Sequence, residues 1–393
     1  MSSFSSIPVL DLSLARDLST KGAFLEQLRY ALIEIGFLYI KNTGIDDALI
    51  QQVTEQGISF FDLPEENKLE IEMKNAPSFL GTKEATDWRE QLDISTPHSL
   101  RRPGAPLYHN LHGPNQWPSS ALLPSFRPTL EAYLSAMSAV STFFTSLVAE
   151  AIGLPPTAFN QFFDEDQQHK LKIVKYPDVS QLKPLETSND QSAANPTQRQ
   201  GVGPHKDSML TSYLLQASHH RGLQVQNAAG TWIDVPPISG SLVVAIGQGL
   251  EALTSGVCTS TTHRVLSPAP GTGPRFSIPF FQGVSYDATF ESMDVPAEVR
   301  ALKRTAGASK GDVEFTFVKG RWKHLGEATL FNRVKSHPDV GEKWYPELLK
   351  QVREIQAQEA REKESQKQAS ANASQDSGRL GGESTPSPAI EAH

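Results

Sequence analysis

The second half of the chain is dominated by short segments in which apolar and polar residues alternate, and no other feature constrains the fold as strongly. From about residue 170 these segments are separated by short turns containing Gly, Pro and Asn: LKIVKY, LTSYLLQ, GLQVQ, TWIDV, SLVVAIG and RFSIPFF. A period of two is typical of β-strands. Closely spaced strands that follow helices predict an antiparallel barrel or jelly roll braced by those N-terminal helices.

The first half of the chain shows helical periodicity instead. After the strand-like opening IPVLDLS, apolar residues recur at helical spacing over residues 24–35, and Gly36 stands where a C-cap is expected. FLYIKN follows as a strand. A second apolar pattern over residues 130–148 predicts a long amphipathic helix that ends near Gly153.

These patterns predict one catalytic unit over residues 1–350. Its N-terminal part extends to about residue 165, and its jelly-roll core covers about residues 166–340. Residues 181–200 have almost no apolar content, which predicts a mobile loop. Residues 351–393 comprise the end of a helix and a polar tail that we expect to be disordered, because such a composition buries too little apolar surface.

Charge and cysteine content exclude several classes of protein. With 36 Lys and Arg against 44 Asp and Glu, the net charge of -8 argues against nucleic acid as a partner. No signal-like N-terminus or long apolar run is present, so we expect no membrane association. The only cysteine, Cys258, excludes an intrachain disulfide and fits a reducing compartment, for which we expect the cytoplasm.

The stretch GVGPHKDSML places His205 and Asp207 two residues apart. In an extended strand, side chains at this spacing project from the same face, so both are able to point at one metal ion. Downstream, TSTTHRVLSP offers His263, 56 residues after Asp207. Two imidazoles and one carboxylate are the ligand set that occupies one face of a non-haem iron and leaves three positions open.

A second pair with the same spacing occurs in PRFSIPFF. Arg275 and Ser277 lie two residues apart on one predicted strand. A guanidinium beside a hydroxyl suits a carboxylate, because the planar fork of arginine binds both carboxylate oxygens at once. The pair therefore predicts a carboxylate site near the metal.

These residues resemble a known family in their order along the chain. An H-x-D pair, a histidine in HRV and an R-x-S pair are similar to the iron(II)/2-oxoglutarate-dependent dioxygenase superfamily, and in particular to its isopenicillin N synthase-like branch. This branch includes plant and fungal oxygenases of secondary metabolism. The resemblance covers roughly residues 7–350, through segments such as IPVLDLS, GFLYIKNTGI, FFDLPEENK, DWREQLDI, GPNQWP, KYP and TWIDVPP.

The resemblance implies a double-stranded β-helix and a set of site residues. It implies that Fe(II) is held by His205, Asp207 and His263, with no catalytic residue beyond these ligands. It further implies that the distal carboxylate of 2-oxoglutarate is held by Arg275 and Ser277. Tyr176 of KYP is either a further contact to this cosubstrate or a buried structural tyrosine.

The sequence departs from the family pattern at three places. Lys206 and Met209 replace the threonine and the glycine that the family usually has around the aspartate ligand, and Gln248 stands where an acid is frequent. The segment 181–200 is longer than the usual connection, and we interpret it as a lid over the site. We expect these changes to affect the rim and the orientation of substrate rather than metal binding.

The function implied is oxidation, by default hydroxylation, of a small-molecule substrate with O2 and 2-oxoglutarate, releasing succinate and CO2. Two alternatives remain open. One is an iron oxidase of the isopenicillin N synthase type that needs no 2-oxoglutarate, in which Arg275 and Ser277 grip the substrate's own carboxylate. The other is a non-enzymatic binding protein on the same fold.

The remaining histidines show no ligand spacing, and we expect His219 and His220 to lie on the surface. Four other residues are candidates either for the substrate pocket or for the ordinary core: Phe79, Leu80, Tyr213 and Phe281.

Overall fold

The structure is a computed structural model that describes residues 3–86, 89–98, 101–163, 168–178, 180, 200–289, 294–302 and 322–379. The chain divides into two compact units, Met1–Asn332 and Arg333–His393. The predicted lid over 181–200 lies outside the described residues except for Gln200, which begins a strand.

The described strands form two sheets. In chain order they are β1 (Val9–Asp11), β2 (Phe37–Lys41), β3 (Gly81–Thr86), β4 (Arg89–Ser95), β5 (Lys170–Tyr176), β6 (Gln200–His205), β7 (Thr211–Leu215), β8 (Leu223–Gln226), β9 (Trp232–Asp234), β10 (Ser241–Ile246), β11 (His263–Leu266) and β12 (Arg275–Gln282). The larger sheet has the order β1-β2-β10-β7-β12-β5-β4-β3, and the smaller has the order β6-β11-β8-β9. All described pairings between these strands are antiparallel except β1 with β2. The predicted jelly-roll core is confirmed.

Helices of the first unit pack against one face of the larger sheet. The described α-helices of both units are α1 (Leu18–Tyr30), α2 (Asp47–Phe61), α3 (Glu65–Leu69), α4 (Phe126–Ala151), α5 (Gln248–Leu253), α6 (Ala297–Leu302), α7 (Leu325–Ser336), α8 (Pro338–Trp344) and α9 (Pro346–Arg379). Because side chains alternate along each strand, Ile173 of β5 and Ile278 of β12 pack into the core with α1, α2 and α4. Their strand neighbours Val174 and Ser277 are buried and point the other way, toward the smaller sheet. The interior between the two sheets is therefore where the site residues lie.

The long predicted helix is α4. Within the described residues it is the one helix long and apolar enough to cross a membrane, but 56% of its apolar window is buried inside the protein. It packs against α1 and α2 and supplies Tyr133, Met137 and Phe144 to the core. We conclude that α4 is the central core helix of this unit.

Gly36 ends the first helix as predicted, by way of a turn of π-helix at Ala31–Ile35 after α1. Its φ of +71° is the left-handed conformation that favours glycine. A Cβ at this position would lie 2.2 Å from the carbonyl oxygen of Thr259. The helix end is thus packed directly against the segment that leads into β11.

The C-terminal part of the chain is a compact unit of its own. The first unit ends at Asn332, and Val334 and Leu349 pack around Gly341 within the second unit. The limit of the catalytic unit near residue 350 stays a prediction. Helix α9 continues up to Arg379, and the disordered tail expected after the helix end stays a prediction. Glu, Lys, Gln and Ala are frequent in this helix, and these residues have high intrinsic helix propensity. Residues 380–393 lie outside the described residues.

Deletion of residues 366–393 is expected to leave the melting temperature within about 2 °C of the full-length value. The last buried side chain described on α9 is Val352, and the segment carries none of the candidate site residues. Calorimetry and succinate formation on the truncated and full-length chains test this. A loss of several degrees or of most of the activity contradicts it.

Candidate metal centre

Three predicted ligands meet at one end of the smaller sheet. His205 is the last residue of β6 and His263 the first of β11, and the two are direct partners in the antiparallel register. The Nε2 atoms of both imidazoles lie 3.7 Å from Oδ1 of Asp207. One ligand atom from each residue lies within 4.8 Å of the others, and this is the one such group of metal-ligating side chains among the described residues.

The reason that Asp207 joins the two histidines differs from the sequence argument. Asp207 lies after the end of β6, so strand alternation does not place it beside His205. Its backbone carbonyl accepts a 2.7 Å hydrogen bond from the amide of Gln248 at the start of α5, and its Oδ2 accepts one from the hydroxyl of Ser212 on β7. A Cβ on Gly247 would lie 1.8 Å from the carbonyl oxygen of Met209, so this close approach of α5 requires glycine. The loop is therefore shaped by tertiary contacts.

His263 is positioned by the threonine-rich segment before it. The hydroxyls of Thr259 and Thr261 donate to the carbonyls of Ile33 and Ile35, at 2.7 and 2.6 Å, and so tie the segment to the end of the first helix. The Phe37 ring packs edge-on against the imidazole, with centroids 5.0 Å apart. These contacts hold the ring in the interior between the sheets.

Both imidazoles direct Nδ1 to a backbone carbonyl. His205 Nδ1 is 2.8 Å from the carbonyl of Gly203, and His263 Nδ1 is 3.2 Å from that of Thr261. When Nδ1 donates to a carbonyl, the neutral ring keeps its lone pair on Nε2, which is the atom facing Asp207. The arrangement orients both Nε2 atoms as ligands.

The electrostatics of the site lower the pKa of His205 and favour an ionised carboxylate at Asp207. Burial, and then the charge of His263, lowers the pKa of His205. Burial by itself raises the pKa of Asp207, but the charges of the two histidines and the hydrogen bond from Ser212 outweigh it, and the pKa is lower than usual. This donor set fits a ferrous ion with open coordination positions.

A buried group on the larger sheet comprises Arg275, Ser277 and Tyr176. It lies on the face that points toward the smaller sheet, which we call the inner face. Arg275 of β12 pairs with Tyr176 of β5, and its guanidinium lies 5.0 Å from the centre of the Tyr176 ring. The Arg275 and Ser277 side chains are each 1% exposed. Nη2 of Arg275 donates weakly to Gln216 at 3.4 Å, and Nη1 is buried without a hydrogen-bond partner in the described part of the chain. A buried guanidinium nitrogen without an acceptor fits a site for a carboxylate.

The structure also reveals inner-face residues that the sequence analysis missed. Asp93 and Gln91 of β4 and Lys172 of β5 lie on the inner face, and the charge of Lys172 contributes to the lowered pKa of Asp207. The alternating polar residues of REQLD and KLK were a usable signal, but only the pairing of β4 with β5 shows that they converge. Of the open pocket candidates, Phe281 lies beside Lys172, with 5.8 Å from the ring centre to Nζ, whereas Tyr213 is core against Phe144 and Phe280.

Among the described residues, the other histidines do not join a group of metal-ligating side chains. His219 is exposed and stacks on the half-buried His220, with ring centroids 4.4 Å apart. His109 has a carboxylate partner that its spacing did not show, with Nε2 3.0 Å from Oδ1 of Asp287. Burial lowers the pKa of His169 to about 4.

Comparison with known families gives two matches that cover most of the first unit. Residues 7–120 match the profile described as "non-haem dioxygenase in morphine synthesis N-terminal". Residues 172–284 match that of the 2OG-Fe(II) oxygenase superfamily. The second match contains all six candidate site residues.

Individual proteins agree with these matches. A 2-oxoglutarate-dependent dioxygenase, frbJ, from Dothideomycetidae sp. (strain 11243) is 63% identical over 91% of this chain and 97% of its own. A 2-oxoglutarate-dependent dioxygenase from Gibberella zeae is 37% identical over 92% of this chain and 96% of its own. Among solved structures, a full-length Neurospora crassa protein in complex with alpha-KG and 5-formyluracil superposes with a TM-score of 0.61 and 27% identity, over 75% of this chain and 90% of that one.

Proposed function

Because this chain belongs to the 2OG-Fe(II) oxygenase superfamily and is an Fe(II)/2-oxoglutarate-dependent oxygenase, we propose that it hydroxylates a small-molecule metabolite at the centre described above. The iron ligands are His205, Asp207 and His263. The cosubstrate is held by Arg275 and Ser277, with Tyr176 beside them.

One observation supports this assignment above the others. The convergent ligand atoms of the three metal-binding residues share an interior with a fully buried arginine whose Nη1 has no acceptor among the described residues. Leaving a buried N–H unpaired is unfavourable, so such a group is retained where a ligand supplies the acceptor. A dicarboxylate that reaches from the metal to Arg275 meets this requirement.

The residues of the chain bind and orient, while the bound Fe(II) and 2-oxoglutarate supply the oxidation by coupling decarboxylation to succinate and CO2 with insertion of oxygen from O2 into a C–H bond. Arg275 neutralises the distal carboxylate of the cosubstrate, and the hydroxyl of Ser277 donates to it. Burial strengthens this charge-assisted bond and excludes water from it. Burial lowers the pKa of Arg275, yet a guanidinium remains charged at neutral pH.

The relatives and the chemistry support a small-molecule substrate. The structurally similar Neurospora crassa protein was solved with alpha-KG and 5-formyluracil, both small molecules. The net charge of -8 supports the absence of nucleic acid as a partner, and the burial of α4 supports the absence of a membrane. Cys258 is buried as a thiol outside any disulfide, which supports the cytoplasm as compartment.

The function is tested with the full-length chain, loaded anaerobically with Fe(II) and titrated with 2-oxoglutarate. We expect saturable binding of one equivalent, and succinate formation on admission of air that rises when a substrate is added. Product formation and O2 uptake without 2-oxoglutarate favour the cosubstrate-free oxidase instead. Binding of 2-oxoglutarate without succinate under any condition favours the non-enzymatic alternative.

A further inference from the structure

The inner face of the larger sheet continues beyond the 2-oxoglutarate residues with a group of charged side chains. The strand register places side chains in cross-strand rows: Tyr176 pairs with Arg275, Val174 with Ser277 and Lys170 with Phe281. On the other side of β5, Gln91 pairs with Val174 and Asp93 with Lys172. Lys172 and Asp93 therefore stand between the row of Ser277 and the row of Phe281.

Lys172 and Asp93 form an ion pair in this row. Nζ of Lys172 lies 3.5 Å from Oδ2 of Asp93, and Oδ1 of Asp93 accepts a 3.2 Å hydrogen bond from Gln91. The Asp93 side chain is 1% exposed, whereas that of Lys172 is 21% exposed. The carboxylate is thus buried behind the ammonium, and the ammonium is the accessible member of the pair.

This ion pair lies next to the metal ligands. Ser212, which donates to Asp207, pairs with Phe281, one row away from Lys172, and successive rows on one face are roughly 7 Å apart. Nζ of Lys172 leans toward that row, 5.8 Å from the centre of the Phe281 ring. A group held by Lys172 therefore lies within the reach of a small molecule from the metal.

The inner face of β4 and β5 carries several basic side chains. All residues of β4 and β5 are described, and side chains alternate along each strand. Arg89, Lys170 and Lys172 therefore lie on the inner face. Asp93 is the one carboxylate that these two strands place on that face. Lys170 is buried, with its Nζ 3.2 Å from the carbonyl of Leu111. The partly exposed ammonium of Lys172 on this face favours an anionic ligand group.

We propose that Lys172, oriented by Asp93, binds a carboxylate of the substrate and thereby presents a carbon of an organic acid to the metal centre. The inference rests on the proposed function, since it takes that centre to be the place of oxidation. Lys172 acts as a specificity residue through a charge-assisted hydrogen bond, and Asp93 as a positioning residue for its ammonium.

The test compares acids with their neutral amides of nearly equal shape, using 3-phenylpropanoate with 3-phenylpropanamide and hexanoate with hexanamide as probes. Binding is measured anaerobically by calorimetry on protein loaded with Fe(II) and saturated with 2-oxoglutarate, so that Arg275 is already occupied. We expect at least one acid to bind about tenfold or more tightly than its amide, a difference of about 1.4 kcal/mol. In Lys172→Gln the affinities for the acid and its amide are expected to differ by no more than about twofold, and in Lys172→Arg a preference for the acid persists.

The matched control is Lys175→Gln, three residues along the same strand. Lys175 lies on the opposite face and pairs with Glu90 at 3.2 Å, so its removal leaves the preference for acids unchanged. Lys172→Gln leaves the Asp93 carboxylate buried beside a neutral partner. The preference for acids is therefore also measured in the double variant Asp93→Asn/Lys172→Gln, in which both charges of the pair are removed.

Two outcomes overturn the proposal: an acid preference that survives in both Lys172→Gln and the double variant, or no acid preference in the unaltered protein. The affinity for 2-oxoglutarate, titrated first in every variant, is expected to be the same as in the unaltered protein. Failure of that titration in the unaltered protein counts against the proposed function, whereas loss of the acid preference alone counts against the role of Lys172.

Discussion

Replacement of His263 by alanine is expected to lower the affinity for Fe(II) by more than about 100-fold, the upper range seen when residues that merely support metal ligands are changed. His263 supplies one of the three ligand atoms that lie within 4.8 Å of one another, and two remaining ligands hold a divalent ion weakly. The measurement is an anaerobic titration with Fe(II), followed by succinate formation at saturating 2-oxoglutarate. We expect turnover to be abolished at metal concentrations that saturate the unaltered protein.

The fold is expected to survive this substitution, because the segment before His263 is held by Thr259 and Thr261 independently of the imidazole. Far-ultraviolet circular dichroism on the metal-free protein checks this. His219→Ala, which removes an exposed histidine, is the matched control and should bind iron normally. An unchanged affinity for Fe(II) in His263→Ala would mean that the ligand set is assigned wrongly.

Removal of the Arg275 side chain is expected to weaken binding of 2-oxoglutarate by several hundred-fold or more. Arg275 is 1% exposed, and loss of one partner of a buried charged pair typically costs about 3–5 kcal/mol. Lysine should rescue binding in part, because a point charge cannot reproduce the bidentate fork. Iron affinity should remain as in the unaltered protein, since no metal ligand is changed.

The measurement is the apparent affinity for 2-oxoglutarate in the unaltered protein, Arg275→Lys and Arg275→Ala, with succinate as the readout. Arg127→Ala, which removes an exposed arginine on α4, is the control for a general effect of charge. If Arg275→Ala leaves this affinity intact but raises the KM of the organic substrate, Arg275 binds substrate and the cosubstrate is held elsewhere.

Several parts of this site were predictable from the sequence because they depend on local backbone geometry. Arg275 and Ser277 share a face because β12 continues through both of them, so the two-residue period applies. Gly36 ends the first helix because it adopts the left-handed conformation that the pattern required. The residue types at 205, 207 and 263 likewise indicated a metal before any geometry was known.

Other parts depend on contacts between distant segments. The same two-residue rule did not apply to His205 and Asp207, because β6 ends at His205 and the following loop is held by Gln248 and Ser212.

The sequence by itself determined the order of strands along the chain, the side-chain face within each strand and the chemical types of the candidate ligands, since all of these follow from local backbone geometry and residue chemistry. Only the tertiary structure decided which strands are neighbours, and so which faces combine. The pairing of β4 with β5 joins Asp93 to Lys172 across 79 residues of chain, and the pairing of β5 with β12 places Lys172 beside Phe281. Such pairings are selected by the packing of the whole core rather than by any local preference, so the proposed substrate site at Lys172 and Asp93 exists only in the folded chain.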